Sequence, residues 1–179
     1  MKSVHRDVQA LVDAVPVHSA PHESEPAWAA SERRLGISFP PEFKDLVDVF
    51  GSGPWAGFLH VLSPFADDEL LFERAALRAL GAFHTTRRSS PAAIPFAIFP
   101  EPLGLLPWGV TDNGDTLCWL TEGVQWPTII LPARGGSWER HDLSVPRLLA
   151  AFLDGSLGSK LLLDPFEGEL PIRAHRENR

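Results

Sequence analysis

The stretch that decides the fold is LLPWGVTDNGDTLCWL, Leu105 to Leu120. Its centre, Asp112-Asn113-Gly114-Asp115, contains an Asn-Gly pair that adopts positive φ at low cost, which predicts the tip of a hairpin. Apolar and β-branched residues lie on both sides of this tip, as expected for two paired strands. The stretch therefore predicts a β-hairpin within an antiparallel meander.

Further short β-type runs and several amphipathic segments lie around this hairpin. The predicted strands are Trp55–Leu62, Ile94–Phe99, Leu105–Val110, Thr116–Leu120, Thr128–Leu131 and Trp138–His141. The predicted helices are residues 4–15 with Ser3 as the cap, Pro26–Leu35, a helix opened by Pro40-Pro41 and ended by Gly51, Asp67–Leu80, and a last helix between Ser144 and Gly155. Helices first, then a meander, then a closing helix predict a single α+β domain over 1–179, with an antiparallel or mixed sheet flanked by helices and a loose tail at 173–179.

Composition sets the broad class of the protein. Apolar residues make up 44% of 179 residues, which is enough for a buried core and excludes a disordered or fibrous chain. The sequence has no apolar run of membrane-spanning length, no apolar segment typical of a secretory signal, and one cysteine, Cys118. We therefore expect a cytoplasmic protein that is not membrane-bound.

Acidic residues are concentrated at one end of the chain. The net charge is −7, and residues 1–73 alone hold 12 Asp and Glu against 5 Lys and Arg. Such a surface repels nucleic acid phosphates and anionic lipid, and attracts basic partners. A surface that serves only solubility is the alternative interpretation.

Motifs for catalysis, metals and cofactors are weak throughout. His18 and His22 have helical spacing, but Pro21 lies between them and no third ligand is evident. The Asp112–Asp115 segment lacks the further ligands of a calcium loop, and Cys118 alternates with apolar neighbours as a buried thiol would. His60 and His141 fall in predicted strands and are interpreted as structural. The sequence thus indicates a non-catalytic protein without a metal or cofactor.

Six tryptophans and no tyrosine are an unusual aromatic composition. Most of the tryptophans are expected to anchor the sheet against its helices. Trp108 and Trp126 lie beside glycine or proline near strand ends, so one of them is a candidate for an exposed contact residue.

Two blocks of the chain resemble the SUKH superfamily, the Smi–Knr group of immunity and cell-wall-regulator proteins. The first block, ERRLGISFPPEFKDLVDVFGSGPW at 32–55, carries Glu32, a Leu-Gly step, a proline step and the start of an acidic-aromatic-Lys helix. The second is the hairpin stretch at 105–120, with its Pro-aromatic-Gly step and Asp-x-Gly-Asp turn. The resemblance covers about residues 25–155, and Phe39 stands where the family usually has leucine.

This resemblance implies an α+β fold and, for many bacterial members, an immunity role in which the protein binds and neutralises a polymorphic toxin, often a nuclease. Glu32 is expected to cap or pair within the fold. The alternatives are a regulatory or scaffold protein of the same fold with a cellular partner, and a small-molecule binder or enzyme.

Acidic side chains on the third and fourth helices are the candidate contacts for a basic toxin. The carboxylates of Glu42, Asp45 and Asp48 lie opposite the apolar face of their helix and are expected to point to solvent. Compensation of the helix dipole is the alternative role for these acids. The candidate partner-binding residues are Glu42, Asp45, Asp48, Asp67, Asp68, Glu69 and Glu73.

Overall fold

The five-stranded sheet of the computed structural model is built around the predicted hairpin. The structure describes residues 4–15, 25–66 and 70–162. The strands are β1 (Leu59–Val61), β2 (Leu105–Thr111), β3 (Thr116–Leu120), β4 (Thr128–Leu131) and β5 (Glu139–His141). Their spatial order equals their chain order, and every neighbouring pair is antiparallel. The hairpin is confirmed, with the Asp115 carbonyl accepting the Thr111 N–H at 3.0 Å and Gly114 at a φ of 86°.

Five α-helices flank the sheet in the described part of the chain, so the α+β class is confirmed. They are α1 (Arg6–Ala14), α2 (Glu25–Leu35), α3 (Pro41–Phe50), α4 (Phe72–Ser89) and α5 (Val145–Leu153), and a short 3₁₀ helix spans Pro91–Ala93. His5 is the N-cap residue of α1, for which the sequence predicts Ser3, and its ring Nδ1 accepts the Asp7 N–H at 3.3 Å. Ser3 lies outside the described residues.

Both faces of the sheet are buried, because successive strand residues point to opposite sides. Residues such as Leu106 and Trp119 pack into a first core with side chains of α1, α2, α3, α5 and the start of α4. Their neighbours Leu105 and Cys118 pack into a second core with the C-terminal half of α4 and the segment 93–99. The sheet thus separates two helical environments.

Two predicted strands differ from the structure for local reasons. β1 is shorter than predicted, because Ala56 and Gly57 take φ values of 51° and 67° and reverse the chain after Trp55. The Ile94–Phe99 strand is wrong: this segment forms only an isolated bridge between Ile98 and Leu105. Pro95 lies inside this segment and Pro100 follows it, and proline lacks the N–H that a strand ladder needs.

The fourth helix is shifted relative to its prediction. It begins at Phe72 instead of Asp67, and continues to Ser89 instead of ending at Leu80. Leu80 and Phe83 are buried in the second core, so tertiary packing extends the helix through Gly81 and a run of polar residues.

Candidate docking surface

Two of the predicted contact carboxylates on α3 serve as ties between helices. Asp48 Oδ1 accepts the indole N–H of the buried Trp28 at 2.9 Å, which joins α3 to α2. Asp45 Oδ2 accepts the backbone N–H of His5 at 2.8 Å, which joins α3 to the start of α1. Both residues are half-buried and both carboxylates accept hydrogen bonds from neighbouring segments, so they do not point freely to solvent as predicted. Sequence periodicity did not predict that α1 and α2 pack against the sides of α3.

Glu73 makes a similar tie between α4 and α2. Its Oε1 accepts the Ser31 hydroxyl at 2.6 Å and the Arg34 guanidinium at 3.1 Å. Burial raises the pKa of the Glu73 carboxyl, but the Ser31 and Arg34 hydrogen bonds outweigh burial, and the pKa lies below its ordinary value. Glu73 is therefore a structural carboxylate in this fold, whatever it contacts in a partner.

We expect this depressed pKa to make folding stability depend on acid. Because the folded-state pKa is lower than the unfolded one, the stabilisation is complete above the unfolded value and is lost as the pH falls through the folded value. Chemical unfolding measured from about pH 6 down to pH 3 should show a decreasing free energy of unfolding. The Glu73→Gln variant should show a smaller decrease over this range, and parallel curves for the two proteins would contradict the assignment.

Glu42 is the predicted contact residue whose carboxylate has no hydrogen-bond or ion-pair partner in the described part of the chain. It is half-buried, as Asp45 and Asp48 are, and lies in the first turn of α3. Asp67, Asp68 and Glu69 lie outside the described residues. Among the described members of the predicted set, Glu42 is thus the one whose carboxylate is not engaged within the fold.

Glu32 stabilises the link between α2 and α3, as the sequence predicts. Its Oε1 accepts the Phe39 backbone N–H at 2.9 Å and the Lys44 ammonium at 3.2 Å. The buried Phe39 side chain then packs edge-on against Trp28 at 5.3 Å and Phe72 at 4.8 Å. The spacing of the 32–55 block therefore has a physical reason, since these residues form one hydrogen-bonded and packed unit.

Charge is distributed unequally between the two sides of the sheet. On the first-core side, α1, α2 and α3 carry seven carboxylates against four basic side chains. Segment 74–99, which contributes to the second core, carries four arginines and no carboxylate. We call α1–α3 the acidic helix layer; its carboxylates are Asp7, Asp13, Glu25, Glu32, Glu42, Asp45 and Asp48. The helices α1–α3 and segment 74–99 therefore carry net charges of opposite sign, which we call the charge polarity across the sheet.

The edge strand β5 lies between two open grooves. One, of about 460 Å³, is lined by residues that include Glu122, Pro127 and Arg140. The other, of about 600 Å³, is lined by residues that include Trp138, Arg140 and Lys160. Arg140 is held by Glu122 at 2.7 Å and by Asp142 at 2.8 Å, and these carboxylates keep the pKa of the guanidinium raised. The strand thus presents a fixed charged edge, which also protects it from pairing with other strands.

The exposed tryptophan is Trp138, and not Trp108 or Trp126. Trp138 is 37% exposed and packs edge-on against Phe96 at 4.8 Å. Trp108 is fully buried, and Trp126 is half-buried against Trp119. Proximity to a turn residue did not predict exposure, because both faces of the central strands are covered.

The side chains that are candidates for catalysis or metal binding in the sequence have structural roles in the fold. Burial raises the pKa of the Cys118 thiol well above its ordinary value, as expected for an inert core cysteine. Asp115 accepts the Ala133 N–H at 2.9 Å and the Thr111 hydroxyl at 3.1 Å, which fixes the hairpin. His60 pairs with Asp112 at 2.9 Å, and His141 with Glu139 at 3.2 Å.

A metal-binding cluster and a membrane-spanning helix are both absent from the described residues. Within 4–15, 25–66 and 70–162, no three His, Cys, Asp or Glu side chains are grouped so that they would hold a metal ion. His18 and His22 lie outside these ranges. In the same part of the chain, no helix has the length and apolar character needed to cross a membrane.

Comparisons of the chain with protein-family models, with curated proteins and with solved structures gave no match.

Proposed function

We propose that this chain is a non-catalytic protein-binding domain that neutralises a basic toxin domain by docking it on the acidic helix layer. The observation that carries the proposal is the charge polarity across the sheet. A basic partner is attracted to α1–α3 and repelled by the arginines of segment 74–99, so the encounter is oriented before contact. The similarity of blocks 32–55 and 105–120 to the SUKH superfamily supports the immunity role.

The hydrogen bonds between helices contribute to this function, because they keep the acidic helix layer rigid. Asp45, Asp48 and Glu73 hold the helices together through hydrogen bonds, so the layer is ordered before a partner arrives. A preformed surface loses less conformational entropy on association than a flexible one. The hydrogen-bonded carboxylates of Asp45, Asp48 and Glu73 contribute to the electrostatic field, and Glu42 supplies a direct contact.

A stable complex needs more than charge. A typical specific interface buries about 1,600 Å² in total and depends on a few anchoring side chains. Charge complementarity mainly raises the association rate, by about ten- to a thousandfold at low salt. We therefore propose that steering and orientation come from the acidic layer, and that shape complementarity around Glu42 provides specificity. The proposed site of action is the cytoplasm.

The test first asks whether a toxin domain is encoded beside the gene of this chain, and then combines that purified domain with the purified chain. We expect a complex at low salt, with an association rate that falls steeply as salt increases, and loss of toxin activity at excess of this chain. The Glu42→Lys variant should associate about tenfold more slowly. Glu101→Lys is the matched control, because it makes the same charge change beside Arg87, outside the acidic layer.

Three outcomes would count against the proposal. They are no complex at low salt, undiminished toxin activity at excess of this chain, and equal effects of the Glu42 and Glu101 substitutions. Binding to a cellular protein without toxin neutralisation would favour the regulatory alternative.

A further inference from the structure

Helix α4 presents a basic face to solvent between residues 77 and 88. Leu77, Arg78, Gly81, His84 and Arg88 follow helical spacing, so their side chains lie on one side of the helix. All five are exposed, whereas Leu80 and Phe83 on the opposite side are buried in the second core. We call these five exposed residues the α4 basic face.

Two arginines of this face have no ion pair within the described residues. Arg78 and Arg88 are exposed and contact no described carboxylate. The neighbouring Arg87, by contrast, binds Glu101 at 2.9 Å and the Phe96 carbonyl at 3.1 Å, and is half-buried. Arg78 and Arg88 are ten residues apart, or about 15 Å along the helix axis.

An apolar residue and a glycine lie between these charges. Leu77 is 64% exposed, which places an apolar side chain at the surface beside the charges. Gly81 is in the helix interior, where glycine is unfavourable, and a Cβ added to it would meet nothing within 4 Å. Packing inside the protein therefore does not require a glycine there, whereas an external backbone would approach more closely at Gly81 than at any larger residue.

From these features we infer that the α4 basic face docks an acidic amphipathic helix of a second protein partner. Carboxylates of that helix would pair with Arg78 and Arg88, and a small apolar residue between them would seat on Leu77 and Gly81. Nucleic acid fits less well, because a phosphate backbone makes no use of the exposed leucine between the two arginines. This partner is separate from the basic toxin of the proposed function, and binds a different helix.

The probe is a synthetic alanine-rich helical peptide of about 20 residues, with alanine at its centre and two glutamates ten residues apart, about 15 Å along its axis. A copy with lysine in place of each glutamate and a short DNA duplex are the comparison ligands. At low salt, the acidic peptide should bind at least about tenfold more tightly than the lysine peptide. The R78E/R88E variant should lose at least about tenfold in affinity.

Two further variants separate docking from general charge and from misfolding. Gly81→Gln fills the close-approach position without an internal clash, so it should weaken peptide binding while the circular dichroism spectrum is unchanged. R134E/K160E changes the net charge as much as R78E/R88E, at exposed positions outside α4, and should leave the affinity within about twofold. Equal binding of the two peptides, tighter binding of DNA, or equal losses in both double variants would overturn the inference.

Discussion

Replacing Trp28 with alanine is expected to lower the free energy of unfolding by about 3–5 kcal/mol. The Trp28 side chain is 1% exposed, and its ring makes edge-on contacts with Phe39, Phe43 and Phe65 at centroid distances of 5.3, 5.9 and 5.4 Å. Removal of the indole leaves a cavity among these rings and also leaves Asp48 without its donor. Urea unfolding followed by circular dichroism measures the loss.

Trp28→Phe is the control that separates packing from hydrogen bonding. Phenylalanine retains most of the apolar contact but cannot donate to Asp48, so a smaller loss of about 1–3 kcal/mol is expected. If the alanine variant loses less than about 1 kcal/mol of unfolding free energy, the stability of the first core does not depend on the Trp28 side chain.

Replacing Gly104 with alanine is expected to lower the free energy of unfolding by about 3 kcal/mol or more. An added Cβ would lie 2.5 Å from the Phe99 backbone nitrogen and 2.7 Å from the Glu101 carbonyl oxygen. These are backbone atoms of the turn that leads into β2, where the Ala97 carbonyl accepts the Leu105 N–H at 2.9 Å. The clash is relieved only if this turn moves away from the strand.

Gly81→Ala is the matched control, because it makes the same chemical change in open space. The new Cβ would meet nothing within 4 Å, and alanine is a better helix former than glycine by about 0.5–1 kcal/mol. The two glycine substitutions should therefore change the free energy of unfolding in opposite directions. Urea unfolding of both variants checks this, and a shift of the same sign in both would contradict the steric assignment of Gly104.

The carboxylates of α3 show which properties of a surface a sequence pattern predicts. The opposition of Glu42, Asp45 and Asp48 to the apolar face of α3 is a property of helical spacing, and the structure retains it. Whether each carboxylate is available to a partner depends on neighbours that are distant in sequence. Asp48 accepts a hydrogen bond from Trp28, and Asp45 accepts one from His5, because α2 and α1 pack beside α3. No local sequence pattern predicts these hydrogen bonds.

The sequence by itself determined the features that depend on a few neighbouring residues. The Asn113-Gly114 tip makes the β2–β3 hairpin because glycine accepts positive φ, and α3 follows the spacing of Phe43, Leu46 and Val47. Local conformational preference is strong enough at these points to decide the structure.

Only the tertiary structure decided which groups are exposed, paired or extended. α4 continues to Ser89 because Leu80 and Phe83 gain burial against the second face of the sheet. The same packing leaves Trp138 at the surface and covers Trp108. These outcomes depend on the free energy of burial between distant segments, which exceeds the small local preferences that a sequence pattern records.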